Sequence, residues 1–168
     1  MDDKETSQSV EPHNILSILK EHDENNYKLR LSRNDEKTPI HILMGSLKDK
    51  KFVIKFFVNN ISNELENLFF IYGKQIPHVL IIDATYKTNK YAMPFVEIVG
   101  VTSTNKTFNI AFAFITNEKE ESYKWVLRCL RLTLEKCMQP RIIVTERELA
   151  LVNACQQVFP YATRLLCR

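Results

Sequence analysis

Two acidic residues stand directly after apolar runs of the kind that form buried strands. Asp83 follows the run at residues 79–82, and Glu146 follows the run at residues 142–144. Burying a carboxylate is costly unless something charged meets it, and a divalent cation is a common reason to place one at a strand end. Two acids at the ends of two buried strands could therefore form a two-metal site for phosphoryl transfer.

Each acid also has a purely structural interpretation. Asp83 could cap the backbone N–H groups of the loop that follows it. Glu146 could be solvated or pair with Arg147, and Glu148 suits the first turn of a helix, where the dipole favours an acid. Glu97 lies among apolar residues, so it could support a metal site from a neighbouring strand or face solvent at an edge. Spacing alone leaves these alternatives open.

The second half of the chain predicts a regular order of elements. Hydrophobic periodicity predicts strands at 78–82, 95–101 and 107–115, a helix at 120–137, a strand at 141–145, a helix at 148–159 and a strand at 164–167. One face of the third strand is expected to carry its large apolar residues, Phe108, Ile110, Phe112 and Phe114.

Three antiparallel strands followed by alternating helices and strands predict an α/β fold, a mixed sheet with flanking helices. That order is typical of the ribonuclease-H-like fold, in which the first and fourth strands are neighbours. Asp83 and Glu146 are therefore expected to meet at one edge of the sheet.

The first half is expected to be an appendage to this core. Residues 1–12 are predicted to be a disordered tail, residues 13–75 a small helix-plus-hairpin segment, and residues 76–168 the main domain. Its elements are a short helix from Asn14 to about Lys20, a helix starting at Thr38-Pro39, and a hairpin of Phe52–Val58 with Leu65–Tyr72.

Composition narrows the class of protein. With 168 residues, 45% of them apolar, and a net charge of +3, the chain has an ordinary globular profile and is less basic than most dedicated nucleic-acid binders. The acidic start at residues 1–6 is no secretory signal, and the run at 110–115 is too short to span a bilayer. We expect an intracellular protein without a membrane partner, whose four cysteines are reduced thiols because no C-x-x-C pair is present.

Several ordered motifs resemble the transposase domain of Mutator-like elements. They begin with Asp-Ala-Thr-Tyr-Lys-Thr-Asn at 83–89 and include Thr-Glu-Arg-Glu-Leu-Ala-Leu at 145–151. The other matching blocks are Pro94, 97–101, Trp125, 153–154, 158–160 and 165–168. The same domain occurs in the far-red-impaired-response transcription factors of plants, which are domesticated relatives.

The resemblance implies an Asp-Asp-Glu triad that binds two Mg²⁺ or Mn²⁺ ions, cleaves a DNA phosphodiester and joins the freed 3′ end to target DNA. Asp83 matches the first acid of that triad. Glu146 stands where the family usually has the second aspartate, in a Thr-Asp-Arg-Glu pattern. The third acid normally lies well downstream, and this chain ends at Arg168, before it.

We therefore expect a C-terminally truncated, catalytically degenerate transposase domain in the nucleus. The alternatives are a domesticated module that contacts DNA or protein without chemistry, and a genomic relic.

Three lysines are candidates for contacts with DNA, and two further predictions concern packing. Lys87, Lys90 and Lys106 flank loops expected near the acidic sheet edge, so they could contact DNA phosphates, although solvated surface lysines are equally ordinary. Trp125 is expected to pack a helix on the sheet rather than stack on a base. The sheet is expected to end on residues 165–167 without a covering helix, and such an apolar patch should promote self-association.

Overall fold

The computed structural model describes residues 39–50, 52–62, 64–72, 78–85, 91–134 and 139–167. The predicted tail and the helix predicted near residues 14–20 lie outside these ranges. The elements in chain order are α1 (Pro39–Asp49), β1 (Phe52–Val58), β2 (Leu65–Tyr72), β3 (Val79–Thr85), β4 (Phe95–Val101), β5 (Thr107–Phe114), α2 (Glu120–Thr133), β6 (Ile142–Thr145), α3 (Leu149–Val158) and β7 (Thr163–Leu166). In the described part of the chain, no helix is long and apolar enough to cross a membrane.

All the described strands form one mixed sheet, in the order β1-β2-β5-β4-β3-β6-β7. The neighbours from β1 to β3 are antiparallel, whereas β3 pairs parallel with β6, and β6 parallel with β7. The predicted order from β3 onward is confirmed, and so is the expectation that its first and fourth strands are neighbours. The mixed α/β class follows directly from this pairing.

The predicted hairpin of β1 and β2 is also confirmed. It does not stand apart, because β2 pairs with β5 and so continues the same sheet. The boundary placed near residue 75 stays a prediction, since residues 73–77 lie outside the described ranges.

The expectation that four large residues of β5 share one face is wrong. The register between β4 and β5 shifts after Ile98, so that Ile98 opposes Ala111 while Val99 opposes Asn109. Ile110 is the extra residue of this bulge, and a single inserted residue moves every later side chain to the opposite face. Phe108 and Ile110 accordingly pack on one side of the sheet, whereas Phe112 and Phe114 pack on the other.

The two faces of the sheet have separate hydrophobic cores. Helices α2 and α3 cover one face, and the apolar stripe of α2 is buried there, at Tyr123, Val126, Leu127 and Leu130. Trp125 is partly buried against this core, which confirms its predicted packing role. Cys129 and Cys155 are buried in it, and burial raises the pKa of the Cys155 thiol to about 12. Such thiols are unreactive at neutral pH.

The other face carries an aromatic core under α1. Leu43 and Leu47 of α1 are fully buried against a cluster of rings that includes Phe52, Phe70, Phe95, Phe112 and Phe114. Burying each such side chain contributes about 1.5–3 kcal/mol. This cluster anchors the hairpin to β5 and β4, the strand that lies beside β3.

Candidate functional site

Asp83 lies within β3 and not beyond its end. The strand continues to Thr85, three residues past the predicted end, and all seven of its residues pair with β4. The parallel ladder with β6 ends at the pair of Ile82 and Thr145, so the next residues on the two strands are Asp83 and Glu146. The two side chains are hydrogen-bonded to each other. The predicted meeting of these two residues is therefore confirmed.

Two carboxyl groups this close can hydrogen-bond to each other only when one of them is protonated. The bond from Asp83, followed by the repulsion of its charge, raises the pKa of Glu146 above its ordinary value. Because Glu146 is exposed, solvent screens much of that repulsion. Glu146 nevertheless holds its proton more tightly than an isolated glutamate side chain would.

Glu97 adds a third carboxylate to this row. It is directly opposite Asp83 in the antiparallel register of β3 and β4, so both side chains point to the same face of the sheet. Partial burial, and then the charge of Asp83, raise the pKa of Glu97. The sequence left open whether Glu97 supports the site from a neighbouring strand or faces solvent at an edge. The structure has it next to Asp83. The signal in the sequence was an acid inside an apolar strand.

The helix side of this end of the sheet is also acidic. Tyr123 is 1% exposed, and its hydroxyl has no hydrogen-bond partner within the described residues. Burial raises the pKa of Tyr123, and the nearby charges of Glu118, Glu148 and Glu146 add to the rise. Glu148 immediately precedes α3 and accepts a hydrogen bond from Val152 through its backbone carbonyl, without a side-chain cap. An anion such as a phosphate would be repelled from this end of the sheet unless a cation came with it.

An apolar strip borders the carboxylates on the same face. The register aligns Val99, Ile81, Val144 and Leu165 in one row across β4, β3, β6 and β7. The first three are partly exposed, and Leu165 is 49% exposed. This half of the face is therefore less covered than the half beneath α1, in agreement with the expected apolar patch near β7.

The three candidate lysines are not brought together around the carboxylates by the described structure. Lys106 lies in the turn between β4 and β5, next to Val101 and Thr107, and Val101 opposes Val79 at the start of β3. Four residues of strand, roughly 13 Å, separate Val79 from Asp83. The expectation that Lys106 lies near the acidic edge is therefore wrong, because the β4–β5 turn is at the other end of the sheet. Lys87 and Lys90 lie outside the described residues.

The donor set fits one hard cation better than two. Carboxylate oxygens are the ligands that Mg²⁺ and Mn²⁺ prefer, and Asp83 and Glu146 are already within hydrogen-bonding distance of each other. A cation bound between them would offset the repulsion that raises the pKa of Glu146. Nowhere in the described ranges do three or more His, Cys, Asp or Glu residues converge as a metal-binding group. Among the described residues, the carboxylates at this end of the sheet are fewer than a pair of ions needs.

Comparison with known proteins identifies a family for the second half of the chain. Residues 79–168 match the family model described as MULE transposase domain. The chain is 35% identical over 82 residues to FAR1-related sequence 6 of Arabidopsis thaliana, covering 49% of the chain and 11% of that protein. It is 31% identical over 86 residues to FAR1-related sequence 5 of the same plant, covering 51% of the chain and 11% of that protein. A PKS-NRPS hybrid synthetase of Chaetomium globosum is 29% identical over 90 residues, which are 52% of the chain and 2% of the synthetase. The chain thus spans a small part of each of these relatives.

Proposed function

The chain belongs to the MULE transposase domain family, and from that premise we propose that Asp83 and Glu146 are the two-carboxylate part of a metal-dependent DNA phosphoryl-transfer site. The observation that carries the proposal is the hydrogen-bonded contact of these side chains on neighbouring parallel strands. We propose further that the described chain holds one cation loosely and does not cleave DNA by itself.

The proposal includes a ribonuclease-H-like core made of β3 to β7. Its support is the strand order β5-β4-β3-β6-β7, with three antiparallel strands followed by two parallel ones and helices between the last three. In such a sheet the central strands are rigid, so they hold their side chains in fixed positions. Asp83 is on β3, the central strand of that set, which pairs with β4 on one side and with β6 on the other.

Each carboxylate has a distinct part in this proposal. Asp83 and Glu146 would hold Mg²⁺ or Mn²⁺, which supplies Lewis-acid activation of a phosphodiester when bound. Both carboxylates must be ionised to hold the cation, and Glu146 ionises against the charge of Asp83, which raises its pKa. Glu97 keeps the site negative from β4 and favours the cation over an anion.

We infer catalytic degeneracy from the number of carboxylate ligands and from the length of the Glu146 side chain. Glutamate is one methylene longer than aspartate, which moves its carboxylate by about 1.5 Å. Misplacement of about 1 Å can cost on the order of 10²-fold in rate. With two ligands and one loosely held ion, the entering and leaving oxygens of a phosphoryl transfer cannot both be stabilised.

The second candidate function is a non-catalytic regulatory module that contacts DNA or another protein. It is favoured by the partly exposed apolar strip beside the carboxylates, a feature that suits contact with a macromolecule. In either case we propose a nuclear protein whose DNA contacts are few, phosphate-directed and sensitive to salt. Lys87 and Lys90 stay candidates for these contacts.

The test is Mn²⁺ calorimetry beside a nicking assay on supercoiled DNA, both with the complete 168-residue chain. We expect weak binding that approaches one ion per chain, is lost in Asp83→Asn, and is kept in Asp49→Asn, which removes an exposed acid at the end of α1. We expect no nicking. Metal-dependent nicking that Asp83→Asn abolishes would show a complete site and refute degeneracy, whereas Mn²⁺ binding that is unchanged in Asp83→Asn would refute the metal site itself.

A further inference from the structure

Among the described strands, β1 is an outer strand of the sheet, with apolar side chains exposed on both faces. Val53 is 47% exposed, Phe56 is 50% exposed and Phe57 is 49% exposed. Outer strands of soluble proteins are usually protected by charges, proline, short length or bulges. β1 is seven residues long and has one charged residue, Lys55. The irregularity of its pairing with β2 leaves Glu66 without a register partner, so the extra residue is on β2 and β1 itself is regular.

The sequence of β1 is nearly palindromic in its apolar pattern. Around Lys55 at the centre, Ile54 and Phe56 are equidistant, as are Val53 and Phe57, and then Phe52 and Val58. Suppose that a second copy of β1 lies antiparallel beside the first, with Lys55 on the two-fold axis. Each of the remaining positions of β1 then has an apolar residue opposite an apolar residue of the other copy. The exposed Val53 of one copy would then lie opposite the exposed Phe57 of the other.

The central lysine is directed away from such a partner. Its Nζ lies 3.4 Å from the backbone carbonyl of Cys129 in α2 and donates a hydrogen bond to it. The ammonium group therefore lies between the sheet and α2, and not beyond the outer edge of β1. Two copies of Lys55 near the axis would be held apart by their own helices, which reduces the repulsion expected of like charges placed opposite each other.

Charges at the two ends of β1 are complementary in the same arrangement. Lys48 and Lys50 are exposed just before the strand begins, with the exposed Asp49 between them. Glu64 and Glu66 lie beside its other end, where Glu66 accepts a hydrogen bond from Asn59 at 2.9 Å. An antiparallel second copy would place the Lys48 and Lys50 end of one β1 beside the end of the other β1 that has Glu64 and Glu66 on its far side, two strand spacings or roughly 10 Å away. Two-fold symmetry repeats this contact.

From these observations we propose that β1 is a homodimer interface, in which two copies of this chain pair antiparallel and join their sheets into one. The outward-facing backbone N–H and C=O groups of β1 supply the hydrogen bonds, and the palindromic apolar pattern sets the register. The proposal is independent of the metal site, which lies on the other side of β4 and β5 from β1.

The first test measures the dimer dissociation constant of the complete chain by sedimentation. Phe57→Lys places a charge at the interface of both copies, so we expect the constant to rise by roughly tenfold or more. Tyr161→Lys changes a fully exposed residue far from β1 and should leave the constant unchanged. Thermal melts of the two variants identify any loss of folding, and Val53→Lys repeats the test at a second exposed position.

The β7 edge is the alternative interface, and Leu165→Lys tests it. Dissociation by Leu165→Lys but not by Phe57→Lys would overturn the proposal and assign the contact to β7. A wild-type chain that stays monomeric at high concentration, or a dimer that persists in both Phe57→Lys and Val53→Lys, would overturn it as well.

The second test addresses the register. In a Cys167→Ser background, the double variant Val53→Cys/Phe57→Cys should form intermolecular disulfides under mild oxidation, because the proposed pairing brings these positions together across the axis. Val53→Cys alone should form few, since the two copies of residue 53 would be four residues apart along the strands, roughly 13 Å. Equal cross-linking of the single and double variants would exclude this register and, with it, the proposed interface.

Discussion

Asp83 and Glu97 are directly opposite each other on the antiparallel strands β3 and β4, with both carboxylates on the same face of the sheet. Like charges in that relationship destabilise a sheet. Glu146 extends the row from β6, hydrogen-bonded to Asp83. The three strands therefore concentrate negative charge at one end of the sheet, where a bound cation would offset the cost of folding it.

Replacing Glu97 by glutamine should stabilise the protein at neutral pH. The free energy of unfolding should rise by on the order of 0.5 kcal/mol, because the repulsion across the strands is removed. Folding raises the pKa of Glu97 above its ordinary value of 4.5. The folded state therefore binds the proton more tightly, and wild-type stability falls as pH rises from 4.5 through the raised value.

The gain from Glu97→Gln should thus disappear in acid, at about pH 4 and below, where the carboxyl is protonated in both states. Thermal melts of wild type and Glu97→Gln between about pH 4 and neutral pH measure this difference in stability. Asp49→Asn is the control for loss of an exposed acid. A variant that is less stable than wild type at neutral pH would show that Glu97 has a stabilising partner.

Shortening Glu146 to aspartate should tighten Mn²⁺ binding without producing DNA cleavage. The change withdraws the carboxylate by about 1.5 Å toward the end of β6 and lets it share an ion with Asp83 in better geometry. The ligand number does not change, so a second ion still lacks a site. Calorimetry should show a lower dissociation constant, and the nicking assay should stay blank. Weaker Mn²⁺ binding in Glu146→Asp would mean that the longer side chain is the better fit.

The positions of the lysines predict unequal effects on DNA binding. Lys106 is at the far end of the sheet from Asp83, whereas Lys87 and Lys90 follow β3 within five residues of Thr85 in the sequence. We expect Lys87→Ala and Lys90→Ala each to lower the salt slope of binding by about 1, and Lys106→Ala to leave it unchanged. Fluorescence anisotropy with a short duplex at several salt concentrations measures the slope. An effect of Lys106→Ala equal to the others would place the DNA over both ends of the sheet.

Removing the Phe70 ring should destabilise the protein strongly. Phe70 is fully buried and contacts the rings of Phe52, Phe112 and Phe114 at centroid distances of 5.9, 5.4 and 6.4 Å. Phe70→Ala should therefore cost about 3–5 kcal/mol in urea denaturation, from lost burial and the cavity left behind. Leu132→Ala, at a residue 78% exposed on α2, should change the midpoint little. A small effect of Phe70→Ala would mean that the aromatic core closes over the vacated space.

Local sequence was sufficient for the order of strands and helices from β3 to β7. Apolar runs and helical periodicity depend on which residues neighbour each other in the chain, and those patterns are visible without a fold. The parallel contact of β3 with β6 follows from that order by known rules of sheet topology. The meeting of Asp83 and Glu146 could therefore be predicted from the order of the elements, which makes the first and fourth strands neighbours, together with the apolar runs at residues 79–82 and 142–144.

Tertiary structure decided what depends on register and on packing between distant segments. β5 itself has no glycine or proline to mark the bulge at Ile110, and this bulge divides the aromatic residues of β5 between two cores. The residue opposite Glu97 is likewise set by the register of a strand pairing. The distance of Lys106 from Asp83, by contrast, already follows from the predicted antiparallel order, which puts the β4–β5 turn beside the start of β3. The sequence determined the elements and the two acids that end beside each other. The fold determined which charges share a face, because strand pairing relates residues that composition and spacing cannot connect.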